Sequence, residues 1–231
     1  GAHFTIYFGL VAFMQLFFCV NSFRKELYIL PYLLVLIMCG GDYFFWMNGM
    51  RQALVCTAFL FVVSLTIERR RVLLYICMIL LLSFIHTSAV FLLPFCLLYF
   101  FNLEKFFIPR WLQLSLFFAA LFLSQMSIWE YLLKYVDIIS AAIGYDRFDA
   151  NTLNSLEGRE MNFGVRRILM LIVDICLIFS SKKLHSVFPS KKFGFVYIMY
   201  VIFFVIEPLF MSSLVLSRVT AYFHIFRVIV G

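Results

Sequence analysis

Charge is what this chain has least of. Only 13% of its 231 residues are Asp, Glu, Lys or Arg, and acids are the scarcer kind, at 12 against 19 bases. Soluble domains carry about a quarter charged residues and are roughly half apolar, so this shortage excludes an ordinary water-soluble domain. Paired cysteines are missing as well. Cys19, Cys39, Cys56, Cys77, Cys96 and Cys176 are scattered through apolar runs without a C-x-x-C pair. That spacing suits neither a disulfide framework nor a zinc site, and it reads as free thiols packed as small hydrophobes. There is no Walker loop, no Rossmann glycine pattern, no G-x-S-x-G and no metal-spaced His/Asp/Glu cluster, so a hydrolase triad and a nucleotide site have no support. No cofactor and no resident metal are expected. No basic-then-apolar segment with a small-residue cleavage site opens the chain, so no signal peptide is expected. The chain begins with Gly1 and stops at Gly231 inside an apolar run, which makes a piece of a longer protein the expectation. Internal repeats and low-complexity tracts are absent too.

What is present is hydrocarbon. The chain is 65% hydrophobic and 20% aromatic, with a mean hydropathy of +1.01. A net charge of +7 would suit nucleic acid if it formed a folded basic face, but no soluble stretch is long enough to make one. The bases fall instead in short gaps between apolar runs, as in the cytoplasmic loops of membrane proteins. A helix needs about 20 apolar residues to cross ~30 Å of hydrocarbon. Runs near that length cover 3–21, 27–46, 50–67, 72–101, 111–126, 165–181, 193–216 and a stretch from 219.

The basic gaps set the direction of these runs. They are Arg24-Lys25, Arg69-Arg70-Arg71, Lys105 with Arg110, and Lys182-Lys183 through Lys191-Lys192. If 72–101 crossed once, the second and fourth gaps would fall on opposite faces, against the rule that short basic loops stay inside. If 72–101 is a hairpin that enters and leaves by one face, all four become cytoplasmic. As one helix, 72–101 would also stretch ~45 Å, too long for an upright span. A break near His86-Thr87-Ser88 gives two arms of about a dozen residues, each ~20 Å long. Non-helical backbone at such depth survives only inside protein or beside a wet cavity. The expected fold is therefore all-α: one polytopic integral membrane domain over 1–231, with about seven membrane-crossing helices and a re-entrant helical hairpin at 72–101. Residues 127–164 form the longest external gap. In it, 128–143 carries apolar residues at three- and four-residue steps, which reads as an amphipathic surface helix or equally as a short helix packed on the spans.

Three polar clusters break the apolar pattern. At the external entrance to the third span, Asn48, Arg51 and Gln52 share one face of a helix that starts at Asn48. A guanidinium beside two amides suits a phosphate clamp, whereas a snorkelling arginine would favour the inner face. In "SFIHTSA" (83–89), His86 has two readings. With an ordinary pKa near ~6.5 it suits proton removal from a hydroxyl, or it holds the turn by hydrogen bonding. In "SRVTAYFHIF" (217–226), Arg218 and Tyr222 lie one turn apart at the start of the last run. Arg159 and Arg166, with Glu157, Glu160 and Arg167, either meet sugar hydroxyls or are simply solvated. His3, His185 and His224 read as structural. No D-x-D metal motif is present, so a diphosphate leaving group would have to be met by fixed cations.

"NGMRQA" opening a span, "FIHTSAVFLLP" in a hairpin after one helix and a basic turn, and "RVTAYF" near the end resemble the EpsG/Wzy-like polysaccharide polymerases of bacteria. The resemblance runs from about the second span to the end. The family's first spans, its external acidic loop and its C-terminal tail lie outside the matched pattern, so no carboxylate from that loop is named. The resemblance implies a glycosyltransferase of the inner membrane that joins oligosaccharide repeats carried on undecaprenyl diphosphate at the outer leaflet, inverting and without metal. It implies that Arg51 and Arg218 meet the donor diphosphate and that His86 accepts or orients the acceptor hydroxyl. Asn48, Gln52, Ser88 and Tyr222 would support them, and Arg159 and Arg166 would face the glycan. The implied partners are the lipid-linked donor and acceptor and the bilayer, with chain-length regulator and flippase proteins as further candidates and no nucleic acid. A lipid-linked glycan ligase would need the same clamp and base. A flippase of the precursor would favour internal repeats and paired broken helices.

Overall fold

The computed structural model describes residues 2–40, 49–102, 108–125, 165–210 and 214–230. Among them the chain is all-helical. The α-helices are α1 (Ala2–Ser22), α2 (Leu30–Gly40), α3 (Met50–Thr66), α4 (Val72–Ile85), α5 (Cys96–Phe101), α6 (Arg110–Gln125), α7 (Val165–Val187), α8 (Lys191–Phe210) and α9 (Leu214–Val230). Two 3₁₀ segments, Leu27–Ile29 and Thr87–Phe95, precede α2 and α5. Long apolar runs become helices here because a backbone away from water must satisfy its own N–H and C=O groups. The external gap 127–164, with its proposed helix 128–143, lies outside the described residues.

Among the described residues, two helices, His3–Ser22 and Lys191–Phe210, are long and apolar enough to cross a membrane. Shorter apolar helices include Met50–Thr66, Val72–Ile85 and Arg110–Ser124. Large apolar side chains point outward along α1 (Phe4, Leu10, Phe13, Phe17) and α7 (Ile168, Leu169, Ile172). A soluble monomer rarely leaves such continuous apolar faces uncovered.

The chain forms two compact units: Gly1–Phe107, Leu184–Tyr200 and Ala221–Gly231 make the first, and Ile108–Lys183 with Val201–Thr220 the second. In the first, α3 is the central helix, with buried residues on almost every side. Phe59 lies at the middle of its aromatic core. Its ring meets Tyr75 at 6.4 Å, Phe195 at 6.4 Å and Phe226 at 5.8 Å, with interplanar angles of 66°, 62° and 79°. Such edge-on contacts set the quadrupole of one ring against the rim of another. In the second unit, Phe117 of α6 stacks on Phe204 of α8 at 4.2 Å and 13°, and Ile178 of α7 completes that cluster.

Two lysines gather the basic gaps of the first unit. Lys191 Nζ donates to the Glu68 carbonyl at 3.1 Å. Lys192 Nζ pairs with Glu26 Oε2 at 2.8 Å, donates to the Ser22 carbonyl and lies 4.5 Å from the Phe23 ring centroid. Segments 22–26, 67–71 and 191–192 therefore sit at one end of this unit. Lys105 lies outside the described residues.

Candidate functional site

The run 72–101 reverses at His86. Before it, Ser83 Oγ bonds back to the Leu80 carbonyl at 2.6 Å, occupying a backbone acceptor of the last turn. His86 then takes an extended conformation (φ −148°, ψ 115°). Its N–H still donates to Leu82 at 3.1 Å, while its carbonyl accepts from Ala89 at 2.9 Å. The return arm is helical but not α throughout: its first nine residues, Thr87–Phe95, are 3₁₀, and the α-helix starts at Cys96, just after Pro94. Pro94 contributes at its end: it has no N–H to close an α-turn, and its ring crowds the carbonyl of Val90. Tyr75 closes the hairpin, donating from Oη to the Leu92 carbonyl at 2.6 Å and meeting the Tyr99 ring at 5.0 Å. Tyr99 Oη in turn shares a 2.8 Å hydrogen bond with Thr66 Oγ1 at the end of α3.

The tip of the hairpin is tied to α9. Ser88 Oγ and Tyr222 Oη are 2.7 Å apart, and the Phe95 and Phe223 rings meet at 5.4 Å. The Cys56 thiol donates to the Ala221 carbonyl at 3.6 Å, which sets α9 against α3 at the same level. Tyr222 is fully buried, so its hydroxyl needs an internal partner, and Ser88 supplies one.

The start of α3 completes this end. Gln15 Nε2 of α1 donates to the Met50 carbonyl at 3.2 Å. Arg51 is exposed and Gln52 is buried, as the ~100° step between neighbours on a helix dictates. The 17 residues of α3 rise ~25 Å and the 14 of α4 ~21 Å. The two helices run antiparallel through the turn at 67–71, so His86 arrives within about one helical turn of the level of Met50. Arg51, Gln52, His86, Ser88 and Tyr222 thus lie toward the end of the first unit opposite the basic segments.

Other expected residues fall elsewhere. Asn48 and Arg159 lie outside the described residues. The helix begins at Met50 with Gly49 as its N-cap, not at Asn48. Arg166 on α7 and Arg218 on α9 belong to the second unit, and their side chains lie outside the described atoms. The sequence reading passed over Asp174. It is 3% exposed, inside the apolar stretch of α7 and one turn before Ile178, and it is engaged rather than free. The signal was there: one acid between Ile168 and Phe179 in a run otherwise without charge. Ionisable groups within spans are rare and tend to be functional.

Among the described residues, no group of three or more His, Cys, Asp or Glu side chains is placed to hold a metal ion. The end that carries Arg51 and His86 offers a guanidinium, an imidazole and hydroxyls, a set suited to binding an anion and moving a proton. The sequence pattern of the EpsG family matches residues 1–230. No curated protein and no solved structure matches the chain.

Proposed function

The chain belongs to the EpsG family of polysaccharide polymerase-like membrane proteins, and on that premise we propose that it polymerises oligosaccharide repeats carried on undecaprenyl diphosphate at the outer leaflet of the bacterial inner membrane. The growing chain on its lipid is the donor, and a new lipid-linked repeat is the acceptor. The acceptor hydroxyl oxygen bonds to the donor's anomeric carbon while the bond from that carbon to the diphosphate oxygen breaks. The hydroxyl proton passes to His86, and the diphosphate leaves with the bonding pair. Displacement from the opposite face inverts the anomeric centre.

Arg51 meets the charge that develops on the diphosphate. Fixed guanidiniums suit this task because they stay ionised and fork across two phosphate oxygens. The absence of a D-x-D motif from the sequence supports a reaction without metal. In this reading the basic segments face the cytoplasm, the hairpin is re-entrant, and about seven helices cross in a GT-C-like arrangement.

One observation carries the proposal: the turn at His86 returns the chain so that the imidazole, the Ser88–Tyr222 pair and the start of α3 share one end of the first unit. The test is reconstitution in vesicles with a lipid-linked repeat, followed by sizing of the glycans. A ladder of repeats supports polymerisation. A single capped product identifies a ligase, and translocation without new glycosidic bonds identifies a flippase.

A further inference from the structure

The opposite end of the first unit has a chemistry that the polymerase reading does not use. Segments 22–26, 67–71 and 191–192 hold seven basic residues and two acidic ones. The lysines of 191–192 are spent internally: Lys191 on the Glu68 carbonyl, Lys192 on Glu26 and the Ser22 carbonyl. Their effect is to hold the segments together, with Arg24, Lys25, Arg69 and Arg71 exposed on the outside. Arg70 adopts a φ of 49°, a left-handed value for which glycine is the default. A guanidinium therefore stands where backbone geometry alone would favour a residue without a side chain.

Immediately beyond these cations the surface turns apolar. Leu73 is 75% exposed two positions after Arg71, and Leu27 and Tyr28 are 59% and 63% exposed just after Glu26. A nucleic acid, an acidic peptide or a free phosphate would satisfy the cations and leave that apolar rim in water. A phospholipid satisfies both, with its phosphodiester on the guanidiniums and its acyl chains along Leu73, Leu27 and Tyr28. We propose that this three-segment collar is a binding site for anionic phospholipid, and that the lipid stabilises the first unit by bridging Arg24-Lys25 to Arg69 and Arg71. The proposal rests on the membrane placement of the functional reading but not on its chemistry.

The test uses the purified full chain in mixed micelles, with thermal unfolding followed as phosphatidylcholine is replaced by phosphatidylglycerol. The wild type should gain at least ~3 °C in Tm with the anionic lipid, since a ligand bound only by the folded state raises its stability. The gain should vanish in ~1 M salt, which screens exposed charges beyond ~3 Å. The variant Arg69→Gln/Arg71→Gln should lose at least half of it. Where that variant does not fold, Arg69→Lys/Arg71→Lys keeps the charge and should keep only part of the gain. An equal Tm in the two lipids, a full gain in the glutamine variant, or the same gain from inorganic phosphate alone would overturn the site. Glycan ladders from a chain indifferent to phosphatidylglycerol would remove this proposal and leave the polymerase reading standing. A lipid-dependent chain that makes no glycan would do the reverse.

Discussion

Ser88 and Tyr222, 134 positions apart in the sequence, share a hydrogen bond of 2.7 Å between their hydroxyls. The bond fastens the hairpin tip to the last helix, two residues from His86. The Tyr222 hydroxyl is fully buried and has no water to fall back on, while Ser88 is half-buried. Between membrane helices such bonds contribute about 0.6–2 kcal/mol. Their value here is chiefly positional, because a tip held on α9 cannot swing away from α3.

That pairing is measurable as a coupling. Tyr222→Phe keeps the ring and removes the hydroxyl, and Ser88→Ala removes the other partner. Each single change should cost ~1 kcal/mol, because it leaves a polar group unmet, and the double variant should cost clearly less than the sum. Thermal unfolding of the four proteins in detergent measures the cycle. Strict additivity would mean that the two hydroxyls do not depend on one another in the folded protein.

Arg51 tests the anion clamp. It stands exposed in the first turn of α3, so replacing it should disturb little packing. Arg51→Lys keeps the charge but loses the two-pronged geometry. Loss of one charge-assisted hydrogen bond worth about 1.5–3 kcal/mol in the transition state lowers the rate roughly 10- to 100-fold. Lysine should therefore fail nearly as badly as alanine. A lysine variant that gives the wild-type distribution of chain lengths would remove the clamp.

How much of this could be read beforehand follows from which features are local. The break at His86 was legible because a thirty-residue apolar run is too long for one upright helix and its only polar cluster lies at the middle. The gathering of three basic segments was legible because they obey one electrostatic rule. The 3₁₀ character of Thr87–Phe95 was not read, although Pro94 announces an irregularity. The partnership of Tyr75 with Leu92 and of Ser88 with Tyr222 depends on how each helix is rotated about its axis. In helices apolar on every side, no hydrophobic stripe records that rotation. Asp174 was overlooked because reading by clusters passes over a carboxylate that stands alone.

His86 separates a proton acceptor from a structural turn residue. Its backbone makes the hydrogen bonds that reverse the chain, to Leu82 and from Ala89, and alanine preserves both. His86→Ala should therefore unfold within a few degrees of the wild type while polymer formation falls by about 10²- to 10⁴-fold, the usual contribution of a positioned acid or base. A variant that no longer survives extraction in detergent would assign the imidazole to the fold instead.

Asp174 offers the sharpest contrast between two substitutions. It is buried on the face of α7 that also presents Ile178 to Phe117 and Phe204, and it already has a partner. Asp174→Asn retains a carbonyl oxygen of similar reach, so the fold should be nearly unaffected. Asp174→Leu leaves that partner unmet in a dry setting and should cost about 1–3 kcal/mol. If the carboxylate served packing alone, asparagine would also preserve the glycan ladder. We expect it not to: if α7 crosses the membrane, as proposed above, an ionisable group buried within it is retained for its charge or its proton. Unfolding and product sizing on the same two variants give the answer. An asparagine protein with wild-type stability and a shortened or missing ladder assigns Asp174 to function, and one with a wild-type ladder assigns it to the fold.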